Sequence, residues 1–242
     1  MFFIDNLKEG LHTSWSPFFT PAVEQALLEI EQKIAAEGRE YTPNPSNVLR
    51  FLSLDLFAVK VLILGQDPYP QKGRATGRAF EVGGLTSWMN PFENASLRNI
   101  VRSIYSAYSG NIRLFTEIRT LMEDNLFEER FQLLPPDKLF ENWERQGVLL
   151  LNSSFTCEID GPASHSALWQ PFTQMLLQYI NDTNPEIIWF IWGNHAQKAI
   201  KNMDIKNTIV SAHPMLSSPK PNDIVYGVVN PFEATKSLID WR

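Results

Sequence analysis

The clearest hydrophobic pattern in the chain is the run Val59, Val61, Leu62, Ile63 and Leu64, which stops at Gly65. A short, nearly unbroken aliphatic run ended by glycine predicts a strand covered on both faces. A polar loop follows at once: Gln66 and Asp67, then Pro68, Tyr69 and Pro70. Proline fixes φ, so this loop should hold Asp67 and Tyr69 in place. Three further apolar runs repeat the design. Residues 148–151 (VLLL) stop at Asn152, residues 187–192 stop at Gly193 and Asn194, and residues 208–211 stop just before His213 and Pro214.

Between these runs the apolar spacing lengthens to that of helices. Thr20 and Pro21 open a helix with Val23, Leu27, Ile30 and Ile34 on one face, and Gly38 supplies the left-handed stop. Residues 41–46 (YTPNPS) read as an extended connector, after which either Ser46 or Asn47 can cap a short helix through Leu54. Residues 71–86 form a glycine-rich loop around Arg78, Ala79 and Phe80. Residues 96–108, capped by Asn94 or Ser96, carry Leu97, Ile100, Val101 and Ile104 inward. Further helices are expected over residues 114–126, about 171–181, from an Asn194 cap through 202, and over 232–239. Residues 110–142, broken by Pro135 and Pro136, read as a helical insertion on the outside. Four short strands alternating with helices predict an α/β protein, a three-layer α/β/α arrangement around a four-stranded, mainly parallel sheet. A single domain over residues 1–242 accommodates it.

Composition narrows the setting only slightly. The single cysteine, Cys157, excludes an internal disulfide and a cysteine-ligated cluster, which points to a reducing, cytoplasmic location. The opening MFFIDNLKEG lacks the basic start and long apolar core of a signal peptide, and residues 187–193 are far too short for a membrane span. A net charge of −6 disfavours a nucleic-acid partner, yet the charge is uneven. Lys60, Lys72, Arg74, Arg78, Arg98 and Arg102 surround the central loop, while acids gather over residues 117–144. Local fields decide affinity for phosphates, so a nucleic acid is permitted but not required.

The strand ends carry the candidate chemistry. In open α/β sheets a ligand binds past the carboxyl ends of the strands, and here those ends present Asp67, Asn152, Asn194 and His213. A carboxylate, an imidazole titrating near neutrality and an amide that both donates and accepts, with Phe80 and Tyr69 as flat surfaces, suit a flat heterocycle bound by stacking and edge hydrogen bonds. Nucleophile-elbow, Walker and metal-ligand patterns are missing, so neither a metal nor a cofactor is expected. Each residue also has a plain structural reading: Asp67 as a turn former, Phe80 as a core plug, Asn152 as a cap, Leu216 as a buried loop residue. His165 and His195 are assigned to structure, and Cys157 is expected to be buried and inert.

The ordered set GQDPYP, GRAF, ASLRNI, VLLLNSSFT, IIWFIWGNHAQK and AHPMLSS resembles family 1 uracil-DNA glycosylases from about Tyr41 onward. The resemblance implies hydrolysis of the N-glycosidic bond of deoxyuridine after the nucleotide is flipped out of DNA. By the same resemblance Asp67 supports the sugar cation and orients water, and His213 hydrogen-bonds the uracil oxygen that gains charge. Asn152 reads the uracil edge, Phe80 stacks on it, Tyr69 excludes the thymine methyl and Gln66 lies beside the base. Ser96 and Ser217 resemble phosphate-pinching serines and Leu216 the wedge that fills the vacated stack. Uracil-containing DNA, single- or double-stranded, is the implied partner, a proteinaceous glycosylase inhibitor a second one, and a monomer the implied state.

The chain departs from the family pattern at Pro70, where histidine is usual, and at Glu93-Asn94-Ala95, where prolines are usual. The wedge loop is one residue short, which leaves Met215 and Leu216 both open as the wedge. The acidic insertion suits a protein partner or a species-specific cover better than DNA. Three other readings stay beside the first: the same mechanism on a modified base in foreign DNA, a DNA-binding scaffold with little catalysis, and a small-molecule enzyme on the same fold.

Overall fold

The computed structural model describes residue 4, residues 10–123 and residues 131–242. The described strands are β1 (Tyr41–Thr42), β2 (Val61–Gly65), β3 (Val148–Asn152), β4 (Cys157–Glu158), β5 (Ile188–Trp192) and β6 (Thr208–Ser211). The described helices are α1 (Pro21–Glu37), α2 (Pro45–Val48), α3 (Ala95–Ser109), α4 (Phe115–Glu123), α5 (Pro136–Gln146), α6 (Ser166–Thr183), α7 (Gly193–Ala199) and α8 (Pro231–Thr235). Four strands form the main sheet in the order β3-β2-β5-β6, and every neighbouring pair is parallel. Parallel neighbours need crossovers, which the helices supply, so all four strand ends that carry the candidate residues lie along one edge.

The two faces of β2 explain why its sequence does not alternate. Leu62 and Leu64 join Leu149, Leu151, Trp189 and Ile191 under α1 and α6. Val61 and Ile63 join Val148, Leu150, Phe190 and Trp192 under α3, α5 and α8. Both sets are removed from water, so polar residues have no face to occupy. The second sheet, β1 paired antiparallel with β4, lies outside the sequence expectation, which has residues 41–46 as an unpaired connector.

Helix boundaries differ where proline or glycine decides them. Pro45 at the first helical position starts α2 after Asn44, earlier than Ser46 or Asn47, and a 3₁₀ turn over Arg50–Ser53 replaces its continuation to Leu54. The helix expected from Pro171 starts at Ser166. Pro171 sits inside it, where burial of Trp169 with Phe172 and Leu176 outweighs one missing hydrogen bond. Asn94, not Ser96, caps α3, its side chain accepting the Leu97 N–H at 2.8 Å. Asn194 caps nothing: α7 begins one residue earlier, at Gly193, and ends at Ala199. α8 likewise closes at Thr235 rather than 239. Of the helix expected over 114–126, Phe115–Glu123 is present and residues 124–130 lie outside the described residues. The later part of the 110–142 segment is not external, since Leu139 and Phe140 of α5 are buried with the sheet's residues.

One buried ion-pair cluster ties α5 to the glycine-rich loop. Glu144 accepts from Arg78 at 2.6 Å and lies 3.7 Å from Arg50, while Glu81 pairs with Arg78 at 3.1 Å. Burial lowers the Arg50 pKa, whereas for Arg78 the two carboxylates outweigh burial and raise it. Glu144→Gln would leave two guanidinium groups facing each other with a single carboxylate. We expect it to destabilise the fold by about 3 kcal/mol, the order found when one member of a buried pair is removed. An unchanged urea midpoint would remove Glu144 from this role.

Candidate active site

A cavity of ≈ 560 Å³ opens at the carboxyl edge of the sheet. Gln66, Asp67, Tyr69, Phe80, Ser96, Asn152 and His213 all line it, so seven residues singled out in the sequence meet in one place. Leu216 and Ser217 are not in its wall. Leu216 projects into solvent at 69% exposure from the turn it closes by donating its N–H to the His213 carbonyl. Ser217 is turned the other way, accepting from Arg102 Nη1 at 3.2 Å and donating to Asp223 at 3.4 Å. Met215, also exposed, does line the cavity, which separates it from Leu216.

Close backbone approach builds the floor. A Cβ on Gly65 would collide with Asn152 Oδ1, so glycine lets the amide lie flat across the end of β2. Asn152 itself is buried at the last position of β3, with its side chain above Gly65. After β5, on the same edge of the sheet, Gly193 has φ +78° and its missing Cβ would lie 2.8 Å from His213 Cβ. These two glycines bring the loops after β2, β3, β5 and β6 within reach of one small ligand.

Phe80 has φ +67°, a left-handed conformation that costs a large side chain roughly 1–3 kcal/mol. Its ring rests on Trp192 (centroids 5.3 Å apart, edge-on) and lies 6.0 Å from the His213 ring. Phe80 is therefore partly a plug, as its plain reading has it, but one face remains on the cavity wall. Tyr69 donates its hydroxyl to the Phe80 carbonyl at 3.3 Å and stands beside Asn94. Burial raises its pKa, so it is a neutral, fixed wall.

Asp67 Oδ2 accepts the Ala163 N–H at 2.7 Å, which pins one carboxylate oxygen. Burial raises its pKa, against the opposing pull of that hydrogen bond and of His195. In its ionised form it is held in a half-buried wall, where its charge acts more strongly than it would in water. The loop that supplies Ala163 is anchored through Asp160, which donates its N–H to the Pro70 carbonyl at 3.0 Å. Pro70 thus serves the site with its carbonyl.

His213 is oriented by its own loop. The Met215 N–H donates to Nδ1 at 3.1 Å, so a neutral ring must carry its proton on Nε2. Burial lowers its pKa and the positive character of His195 lowers it further. The ring is a neutral donor. The loop is braced from α3, where Asn99 donates to the Pro214 carbonyl at 2.7 Å, and by Asp223, which accepts from Ser218, Val225 and Tyr226 N–H groups.

The sequence assignment of His195 to structure alone requires correction. His195 lines the cavity, and its Nε2 meets Ser153 Oγ at 2.7 Å. Ser153 gives its only hydroxyl proton to the Gln66 carbonyl at 2.9 Å, so His195 must be the donor in the other bond. Burial lowers its pKa while Asp67 opposes the shift. Its position right after Asn194, at a strand end already marked as convergent, was the available signal. His165, by contrast, is buried away from the cavity, bonded to Thr156 at 2.9 Å and Glu37 at 3.2 Å. Cys157 is buried and its thiol is pushed up to about 12, first by burial and then by the charges of Asp67 and Glu158, which leaves it inert.

The fold and the cavity define an α/β protein with a polar, aromatic-walled site at the sheet's carboxyl edge. Residues 53–227 match the model of the uracil DNA glycosylase superfamily. A uracil-DNA glycosylase of Mesomycoplasma hyopneumoniae (strain 7448) is 30% identical over 95% of this chain and 97% of its own length. One of Chromobacterium violaceum is 31% identical over 84% of this chain and 78% of its own length. Among solved structures, a mimivirus UNG in complex with UGI superposes with TM-score 0.71 at 26% identity, covering 99% of this chain and 93% of that one. The UNG of Nitratifractor salsuginis shares the fold at TM-score 0.66 and 23% identity, covering 88% of each chain. The chain belongs to the uracil DNA glycosylase superfamily.

Proposed function

We propose that the cavity receives a uracil nucleotide extruded from DNA and that Asp67 and His213 break its N-glycosidic bond. The observation that carries this reading is the tautomer of His213. A neutral ring whose Nδ1 already accepts a backbone N–H has one proton to offer, on Nε2. Such a preorganised donor is suited to an oxygen that gains negative charge only as the bond breaks.

The chemistry follows from that arrangement. The C1′–N1 bond of the deoxyuridine lengthens, its electron pair passes into the uracil ring, and charge accumulates on the ring oxygen that His213 hydrogen-bonds. The sugar becomes cationic, and the Asp67 carboxylate stabilises it and orients the water that adds to C1′. The water gives up a proton as it bonds to C1′, the departing uracil anion takes one from solvent, and the products are free uracil and an abasic sugar, the entry point of base-excision repair. Asn152 pairs with the base edge, Phe80 stacks beneath it, and Gln66 borders it. Leu216, exposed on the rim, enters the stack in place of the flipped base. Ser96 grips a flanking phosphate directly, whereas Ser217, already bonded to Arg102 and Asp223, acts there by holding the loop.

Among the described residues no helix is long and apolar enough to cross a membrane. Residues 1–242 form one glycosylase domain, monomeric and cytoplasmic, with a surface around the cavity mouth that a proteinaceous inhibitor would cover by imitating DNA. The mimivirus relative, crystallised with UGI, supports that partner class.

Matched oligonucleotides with uracil, thymine or cytosine at one position test the reading through abasic-site formation and alkaline cleavage. The wild type should cut at uracil alone. Tyr69→Ala should open the wall beside the base and admit thymine, with the uracil preference falling by at least about tenfold, the scale set by one methyl group in a pocket. Thymine still rejected by that variant would take Tyr69 out of specificity. No cleavage at any base would move the reading to a modified-base substrate or a scaffold.

A further inference from the structure

A second cavity of ≈ 400 Å³ lies on the other side of the start of α3 and shares Ala95 with the first. Arg98 and Arg102 of α3 and Arg119 of α4 line it, and no carboxylate does. That is unusual in a chain of net charge −6. Four other arginines here are paired with carboxylates: Arg78 and Arg50 with Glu144, Arg39 with Glu158, Arg242 with Asp240. For Arg98, Arg102 and Arg119 no carboxylate lies within the 4.0 Å of an ion pair among the described residues.

These three guanidinium groups are instead fixed by neutral acceptors. Arg98 donates to the Phe92 carbonyl and sits over the Phe92 ring at 5.3 Å. Arg119 donates to the Met89 carbonyl at 2.5 Å. Arg102 donates to the Arg113 carbonyl, Asn99, Ser217 and the Tyr226 hydroxyl, at 2.8–3.2 Å. Arg98 Nε is buried and has no hydrogen-bond partner. Three rigidly held positive charges with donors to spare and no counter-charge make an anion site, and the planar fork of arginine suits phosphate oxygens.

We propose that this cavity binds a backbone phosphate of the DNA strand flanking the extruded nucleotide. The inference rests on the uracil-DNA reading and extends it to residues to which the sequence resemblance assigns no role. A strand seated in the first cavity and held at Ser96 must leave past the start of α3, and the second cavity adjoins that point. Arg119 comes from the segment whose acidic composition suggested a protein partner, yet the side chain it gives to this cavity is basic. Arg102 is shared, since it also holds Ser217 of the wedge loop, so a phosphate seated here meets the same arginine that braces that loop.

The test compares wild type, Arg119→Gln, Arg98→Gln and Arg119→Lys on a uracil oligonucleotide, with KM followed against salt. Arg102 is left alone because it braces the wedge loop. Each glutamine variant should reduce the slope of log affinity against log salt by about 0.7–0.9, the value of one phosphate contact, and Arg119→Lys should restore it. Replacing flanking phosphates one at a time by neutral methylphosphonates should weaken wild-type binding at one position. The same replacement should add nothing in Arg119→Gln, as expected for two groups in one contact. Slopes and phosphate profiles equal to wild type in both glutamine variants, with thermal melts unchanged, would overturn the proposal. If the wild type excised uracil while those slopes stayed equal, only the phosphate subsite would fall. A wild type that binds DNA but excises no uracil would instead fail the reading it rests on.

Discussion

Asp67→Asn is expected to lower kcat for uracil excision roughly 10³-fold, within the range of a group that stabilises transition-state charge or positions water. The amide keeps an oxygen to accept the Ala163 N–H, so the loop should stay where the 2.7 Å bond holds it. What it loses is the negative charge opposite the sugar cation. Stability should move the other way. Burial raises the Asp67 pKa above its unfolded value, so the ionised carboxylate opposes folding at every pH above that unfolded value. Removing the charge therefore leaves Tm unchanged or higher while activity collapses, a pairing typical of a residue kept for function. A variant that lost activity and melted early would make Asp67 a structural residue. The double variant with His213→Ala should lose much less than the product of the two single losses, because both groups serve one charge separation. DNA binding, by contrast, should survive, so the loss is one of catalysis; the scaffold reading predicts the same binding but no excision for the variant to lose.

Much of the fold was legible because burial on both faces leaves a plain mark. The aliphatic runs now seen as β2, β3 and β5 sit between two apolar layers, and no other requirement disturbs them. The site was legible for a related reason: parallel strands end on one edge, so polar residues that stop apolar runs must meet. What the sequence concealed depends on pairings between distant loops. The Ala163 amide that pins Asp67 comes from a loop 96 positions away, with nothing in its composition to announce it. His195 looked like a helix-start residue because its partner, Ser153, is 42 positions off. The arginine cavity was hidden by averaging, since residues 117–144 are acidic as a segment while Arg119 meets α3 through one turn of helix. Pro70 was read as a lost imidazole; the structure gives its carbonyl a bond that no residue-type argument contains.

His213→Ala is expected to cost roughly 10²–10³ in kcat, the usual worth of one donor aimed at developing charge, with little change in KM for DNA. The pH dependence makes this more than a deletion result. Two protonations inactivate the site as pH falls: Asp67 loses its charge, and His213 acquires a proton on Nδ1, where the Met215 N–H already points. Burial raises the first pKa above the ordinary carboxylate value, and burial together with His195 lowers the second below the ordinary imidazole value. The part of the acid limb of kcat/KM that belongs to His213 should therefore lie below the ordinary imidazole value of about 6.5, so the neutral ring persists where a free histidine would be largely charged. In His213→Ala the residual activity should keep only the carboxylate's limb. A wild-type activity that falls as pH rises through the histidine range, and no longer does so in His213→Ala, would mean that His213 works as a cation. The hydrogen bond from Met215 would then have to break in the active state, and the neutral-donor mechanism would be wrong.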